Sequence, residues 1–151
     1  MRTEIKIGLI AGAVGLVLNI CVSTVLGLCG PFLSLIVGAA AGLLAVRQGK
    51  PALKSEGRKM GAIAGAIAGA LMIIGQLIGG LGALILAQFS GVKIPFGEVP
   101  PPTADAASQL IYYLSGIGTG LCFGLIGTLL AALAGLAAGH LATTEIIDSG
   151  R

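Results

Sequence analysis

Four long stretches without any Asp, Glu, Lys or Arg alternate along the chain with short segments that hold all of its charges. The uncharged stretches run from Ile7 to Cys29, Phe32 to Val46, Met60 to Phe89 and about Gln109 to Ala142. About 20 apolar residues in a helix cross the roughly 30 Å hydrocarbon core of a bilayer. The pattern therefore predicts four membrane-spanning helices.

Glycine and proline divide these stretches into separate helices. Gly30-Pro31 forces a break after the first stretch, and proline suits the first turn of a new helix. We predict an all-α, integral-membrane four-helix bundle that forms a single transmembrane domain over residues 1–151. Its spans lie at about 7–29, 31–47, 60–89 and 109–140, with loops at 48–59 and 90–107. A cleaved signal peptide is the alternative for residues 1–23, but no clean small-x-small cleavage site follows.

The composition excludes a soluble domain. Hydrophobic residues make up 56% of the chain and charged residues only 10%, and the mean hydropathy is +1.03. A soluble domain carries about 25% charged residues, which cover its water-facing surface. The apolar side chains here are therefore expected to face lipid or each other.

The distribution of positive charge predicts the orientation. Of the nine Lys and Arg residues, only Lys93 falls in the predicted 90–107 loop. The other eight lie at the two termini and in or beside the 48–59 loop, on the opposite side of a four-span topology. Because cytoplasmic loops carry an excess of Lys and Arg, both termini and the 48–59 loop are predicted to be cytoplasmic. The cell (inner or plasma) membrane is the expected location.

Two sequence similarities indicate an internal duplication of a helical hairpin. The segment Gly8–Gly15 shares five of eight residues with Gly61–Ala68, and the tripeptide Gly-Leu-Cys occurs at both 27–29 and 120–122. If real, the duplication relates spans one and two to spans three and four as parallel repeats about an axis along the membrane normal. The bias towards Gly, Ala and Leu leaves chance similarity open as the alternative.

Glycines recur at four-residue spacing in every span, which places them on one face of each helix. Small side chains there allow two helix backbones to approach closely, and this predicts glycine-zipper packing. The stripes either pack the bundle internally, or dock another subunit, or, as a weaker option, line a pore where a helix breaks. The predicted packing residues are Gly8, Gly12, Gly38, Gly42, Gly61, Gly65, Gly69, Gly116, Gly120, Gly124, Gly135 and Gly139.

Asn19 and Gln76 are the most polar residues deep in the spans, and they lie in helices that run in the same direction. A hydrogen bond between them would contribute roughly 0.6–2 kcal/mol in lipid, so we interpret them as an interhelical contact in preference to a ligand site. No charged residue lies in any span, whereas proton-coupled transporters need an intramembrane acid or histidine relay. Small multidrug-resistance transporters are similar in size and helix number, but their carboxylate in the first helix has no counterpart between Ile7 and Cys29.

Catalytic and cofactor signatures are not found in the sequence. His140 is the sole histidine, the three cysteines lack CxxC spacing, and no nucleophile–base set or phosphate-binding loop is present. We therefore predict that the chain is not an enzyme and holds no cofactor or metal. The basic 47–59 segment suits anionic lipid head groups, but it lacks the aromatic platform of a nucleic-acid site.

Three functions remain, and the sequence favours the first. A structural or accessory membrane subunit would act through helix packing, as a homo-oligomer or with other membrane subunits, in contact with membrane lipids. A passive channel or facilitator for a small solute is the alternative, with Asn19 and Gln76 lining the path. A holin-like permeabilising protein is the third, although a defined four-span topology is more elaborate than permeabilisation requires.

Overall fold

A computed structural model describes residues 2–26, 30–90 and 105–148, and these residues form helices and no strands. All four helices are long and apolar enough to cross a membrane. The helices are α1 (Thr3–Leu26), α2 (Gly30–Gly49), α3 (Lys54–Ser90) and α4 (Ala106–Asp148). The all-α, four-helix architecture predicted from the sequence is therefore confirmed. Residues 91–104 of the predicted external loop lie outside the described residues.

All four helices extend beyond the predicted spans, with α1 beginning at Thr3 and α2 running from Gly30 to Gly49. α3 begins at Lys54, six residues before the predicted span, and α4 continues to Asp148. The added residues are mostly polar, so the hydrophobic pattern does not include them. A helix ends where its backbone hydrogen bonds end, and not where its side chains become charged. α4 also runs unbroken through the glycine-rich segment 116–120. Asp105 caps α4, since its carboxylate accepts hydrogen bonds from the backbone N–H groups of Ala107 at 2.9 Å and Ser108 at 3.2 Å.

The four helices form a bundle with a definite neighbour order. α1 packs beside α3, α3 beside α4, α4 beside α2, and α2 beside α1. α2 also packs across the bundle on α3, whereas α1 and α4 lie at opposite corners and scarcely touch. α1 begins, α4 ends and residues 50–53 join α2 to α3 at the same end of the bundle, which we call the charged end.

Contacts between the parallel helices include pairs at two recurring separations along the chain. In α1 and α3, Asn19 meets Met72 and Ser23 meets Gln76, each 53 positions apart. In α2 and α4, contacts such as that between Gly42 and Gly135 join residues 93 positions apart. The same separations, 53 and 93 positions, relate the two pairs of similar segments in the sequence. A two-fold axis that relates α1 to α3 and α2 to α4 would make the α1–α4 contact equivalent to the α2–α3 contact. α2 and α3 pack together but α1 and α4 scarcely touch, so the two hairpins are not related by such an axis.

The interior is built from small residues, and the large apolar side chains point outward. Alanines at positions 41, 45, 64, 68 and 131 are fully buried, and Met72 is the largest fully buried side chain. Phe32 and Phe89 are 74% and 85% exposed, and Leu, Ile and Val side chains are exposed on all four helices. This distribution reverses that of a soluble protein, whose large apolar residues fill the core.

Candidate functional site

α2, α3 and α4 meet at Gly135, where three helix backbones come into close contact. An ideal Cβ on Gly135 would contact the carbonyl oxygen of Gly61, and would lie 3.1 Å from both the carbonyl oxygen of Gly38 and the Cα of Gly65. Gly42 faces Gly135 from α2. Any side chain larger than hydrogen would therefore push three backbones apart, which is the physical reason for glycine at this position.

The same close packing continues along the α3–α4 contact towards both ends. A Cβ on Gly69 would lie 2.8 Å from the Cα of Thr128, and one on Gly139 would lie 2.6 Å from the carbonyl oxygen of Gly57. Further from the charged end, the glycines of α4 lie nearest to side chains, and the backbone of α3 is 3.4 Å or more from an ideal Cβ on Gly124 or Gly120. There Gly124 lies against Ile73, Gly120 against Leu77 and Gly116 against Leu84.

The two packing glycines predicted in the first span lie against α3 and not against α2. A Cβ on Gly8 would lie 2.9 Å from the carbonyl oxygen of Ala64, and one on Gly12 would lie 3.0 Å from the Cα of Ala68. All twelve predicted packing glycines thus lie at contacts inside the bundle, and all but Gly116 are buried. They point away from the surface on which a partner would dock.

Sequence reasoning missed other glycines at these contacts. Gly57 packs on Thr143 and Gly139, one turn before Gly61. It continues the four-residue spacing of the α3 stripe, but it lies among charged residues, within the predicted 48–59 loop. Gly75 and Gly79 pack on Asn19 and Ser23 of α1, and their own four-residue spacing was the available signal.

A cluster of three buried polar side chains joins α1 to α3. The Asn19 amide nitrogen donates to the carbonyl oxygen of Met72 at 2.9 Å, which orients the Asn19 amide oxygen towards Ser23. The Ser23 hydroxyl lies 3.1 Å from that oxygen and 2.9 Å from the amide oxygen of Gln76. A hydroxyl carries one proton, so Ser23 donates to one of these two oxygens at a time.

The cluster is sealed from outside by its packing. Asn19, Ser23 and Gln76 are 1%, 0% and 5% exposed. α2 closes over the cluster at Gly30, where an added Cβ would contact the Gln76 amide oxygen. Asn19 and Gln76 lie near each other, and the Ser23 hydroxyl lies between their amide oxygens. The polar groups contact each other and the backbone, which is the arrangement of an interhelical contact.

Most other hydroxyls in the helices bond to their own helix. They donate to backbone carbonyls three or four residues earlier, as Ser and Thr do in apolar surroundings. This holds for Ser34, Ser115, Thr119, Thr128, Thr143 and Thr144. The hydroxyl protons of these side chains are therefore used within their own helices.

The charged end holds an exposed ion pair and a buried imidazole nitrogen. Arg47 of α2 lies 3.9 Å from Glu145 of α4, with both side chains more than half exposed. Such a pair contributes little to stability, about 0–1 kcal/mol, because water and salt screen it. His140 Nδ1 is buried and has no hydrogen-bond partner within the part of the chain that the structure describes.

The described residues contain no group of three His, Cys, Asp or Glu side chains placed to hold a metal ion. The candidate site therefore consists of the small-residue contacts around Gly135 and the polar cluster of Asn19, Ser23 and Gln76. Both are features of packing, made from hydrogen bonds and backbone contact. Comparison of the chain with protein-family models, with curated proteins and with solved structures finds no match.

Proposed function

We propose that the chain is a multi-pass membrane protein with a structural role, acting as a subunit that associates with other helices in the bilayer. The observation that carries the proposal is the contrast between its interior and its surface. The interior is closed by glycine backbone contacts and a sealed polar cluster, and the surface between the helix ends is almost wholly apolar. The surface of such a molecule is suited to packing against other helices, and it presents few reactive or polar groups.

The exposed surface supports insertion into lipid. A soluble monomer rarely exposes a continuous apolar patch of more than a few hundred Å², because water excludes it. Here every helix exposes large aliphatic or aromatic side chains, including Val17, Ile36, Ile78 and Leu129. Only lipid, or another membrane protein, can cover such a belt, and the helices satisfy their own backbone hydrogen bonds as spanning segments must.

The charged end supports the proposed orientation. Its exposed cations include Arg47, Lys50, Lys54, Arg58 and Lys59 around the α2–α3 connection. The positive-inside rule assigns this end to the cytoplasm, which places both termini there. In that position the cations also face anionic head groups, each attracted by about 1 kcal/mol. The proposal includes no catalytic step, no cofactor and no nucleic-acid partner.

A passive channel is the weaker alternative. A solute path needs polar groups that face an open, hydrated space. The three deepest polar side chains instead bond to one another and are closed off by Gly30. Permeabilisation of the holin type has no supporting feature among the described residues, whose glycine contacts hold a closed, ordered bundle.

The test is the number of copies and the permeability of the protein in one reconstitution. The full chain, labelled with one fluorophore, is placed in liposomes at rising protein-to-lipid ratios, and photobleaching steps are counted in each liposome. We expect more liposomes with several bleaching steps than random insertion of independent copies would give. Alternatively, purification of the chain from native membranes should recover a second membrane protein in a fixed ratio. Single copies in both experiments would contradict the proposal.

The same liposomes carry the second measurement. Glycerol and urea entry, followed by light scattering, is expected to equal that of protein-free liposomes. Faster entry that Asn19→Leu or Gln76→Leu abolishes would replace the structural role with the channel. Faster entry unaffected by either change would indicate permeabilisation.

A further inference from the structure

α1 and α4 are the two helices that do not pack against each other within the bundle. Every other pair of helices in the bundle packs together, but α1 and α4 occupy opposite corners and leave their outer faces uncovered. The outer face of α1 carries Val14, Val17 and Cys21, and that of α4 carries Cys122, Leu125 and Leu129. Two copies lying side by side in one membrane can supply the contact that a single copy lacks.

The two faces match in depth. Because Asn19 bonds to Met72 and Ser23 to Gln76, Cys21 lies level with Ile74 of α3. Gly124 packs on Ile73 and Gly120 on Leu77, which places Cys122 level with residue 75. At 1.5 Å of rise per residue, Cys21 and Cys122 therefore lie at depths within about 2 Å of each other.

The two faces also carry opposite charges at the charged end. Arg2 and Lys6 are exposed at the start of α1, and Glu4 lies between them on a more buried side of the helix. Asp148 is exposed at the end of α4, and so is Glu145, whose carboxylate also lies 3.9 Å from Arg47 of α2 in the same copy. Gly57 packs on Thr143, so by the same register Arg2 lies within about one turn of the level of Glu145.

We propose that this chain assembles head to tail, with α1 of one copy packed antiparallel against α4 of a second copy. The inference rests on the proposed structural role and deepens it, since it names the partner as the chain itself and the surface as these two faces. In the contact, Cys21 lies beside the partner's Cys122. Arg2 and Lys6 lie beside the partner's Glu145 and the partner's Asp148.

Charge selects this pairing over the two-fold alternatives. A symmetric contact of α1 with the partner's α1 would oppose Arg2 and Lys6 to their own copies. A symmetric contact of α4 with the partner's α4 would oppose Glu145 and Asp148 to theirs. Like charges that face each other across a contact are unfavourable. Complementary charges mainly determine which surfaces meet, and they contribute less to the affinity of the contact. Since each copy offers both faces, head-to-tail contacts repeat and give a closed ring or an open row.

Cysteine crosslinking in native membranes tests the geometry. The starting protein is Cys29→Ser, which retains Cys21 and Cys122, and the oxidant is copper phenanthroline. We expect a ladder of dimers and higher multimers that reducing agent collapses and that either Cys21→Ala or Cys122→Ala abolishes. Dimers that persist in Cys21→Ala would show a symmetric α4 contact and overturn the inference, as would the lack of any crosslink.

Ile74→Cys, made together with Cys122→Ala, is the matched control. Ile74 is exposed at the same depth as Cys21 but on α3. The cysteine introduced at position 74 is expected to crosslink to Cys21 of another copy at least about tenfold less than Cys122 does. It lies at the same depth in the membrane as Cys21, but it is not on the α4 face that we propose contacts α1. Equal yields would show random collision and contradict the proposed contact.

Charge reversal gives a second, independent readout. One variant carries Arg2→Glu and Lys6→Glu, and the other carries Glu145→Lys and Asp148→Lys. Each alone opposes like charges across the head-to-tail contact, so its crosslinking at low salt should fall by about tenfold, from two exposed ion pairs replaced by repulsion. Co-expression of the two restores opposite charges and should restore crosslinking, which also shows that both variants fold.

The outcomes separate this inference from the proposed function. If the protein is found as single copies in liposomes and in native membranes, both the structural role and the head-to-tail contact are contradicted. Multiple copies without the Cys21–Cys122 crosslink, or with a crosslink indifferent to charge reversal, would remove only the head-to-tail contact. The structural role would then be served through another surface.

Discussion

Gly42 of α2 and Gly135 of α4 pack backbone against backbone, so that an ideal Cβ on Gly42 would lie 2.6 Å from the Cα of Gly135. Nonbonded carbon atoms do not approach so closely. The two helices therefore meet at a distance that only glycine permits, and they gain dispersion and Cα–H···O contacts over that length. Lipid solvates apolar side chains as well as protein does, so such close packing supplies much of the association between helices in a membrane.

Gly135→Ala is expected to destabilise the bundle. The added methyl group meets Gly61, Gly38 and Gly65, all through backbone atoms that cannot rotate aside. Overpacking of this kind costs about 1–3 kcal/mol. The measurement is the midpoint of unfolding on titration of SDS into mild detergent, followed by far-ultraviolet circular dichroism.

Gly118→Ala in the same helix is the control for that substitution. Gly118 is exposed, and nothing lies within 4 Å of a Cβ placed there. Alanine favours a helix over glycine by up to about 1 kcal/mol in water, so this variant should unfold at the same or a higher SDS fraction. Equal effects of the two substitutions would show that Gly135 serves no close contact.

Gly30→Ala is expected to disturb the polar cluster from the α2 side. A Cβ at Gly30 contacts the Gln76 amide oxygen, whose side chain is held by Ser23 in a buried site. We expect a loss of about 1–3 kcal/mol from overpacking and from displacement of a buried hydrogen bond. Gly49→Ala is the matched control, because its Cβ meets only the flexible end of Met60, which can turn aside. A Gly30→Ala protein as stable as Gly49→Ala would contradict the description of the cluster as sealed.

The sequence predicted the four helices, their order and many of the glycines at the closest contacts. These follow from hydropathy and four-residue spacing, which are local properties of a helix. It did not predict that Gly8 faces α3, that Ser23 bridges Asn19 and Gln76, or that Gly57 belongs to a contact. Each of these depends on how far a helix is rotated about its axis and on which neighbour it meets, and no spacing within one helix encodes that.

Lys50 is the described non-glycine residue with a left-handed backbone, at φ 44°. Its N–H bonds to the carbonyl oxygen of Val46 at 2.8 Å, which ends α2 in a glycine-type C-terminal cap. A side chain in this conformation costs about 1–2 kcal/mol relative to glycine. Lys50→Gly should therefore be about 1 kcal/mol more stable than Lys50→Ala, the control that removes the same charge. Equal unfolding midpoints for the two variants would contradict the left-handed assignment.

Ser23→Ala should weaken the contact between α1 and α3. It removes the hydroxyl that lies between the amide oxygens of Asn19 and Gln76, at the point where both are buried. Hydrogen bonds between helices in membranes contribute about 0.6 kcal/mol on average and up to about 2 kcal/mol. The loss is measured by SDS titration. Ser34→Ala is the control, since the equally buried Ser34 donates only to Gly30 of its own helix, and it should change stability by less than Ser23→Ala.

A double-mutant cycle tests the bridge itself. If Ser23 couples to Gln76, then Ser23→Ala and Gln76→Ala together should cost less than the sum of the two single losses, because each removes the same interaction. The 2.9 Å contact predicts a coupling of about 0.5–1.5 kcal/mol. Additive losses would mean that Ser23 and Gln76 stabilise the bundle through separate partners. In that case the polar cluster would be two unrelated contacts, and its role in holding α1 on α3 would have to be assigned to Asn19 and its bond to Met72.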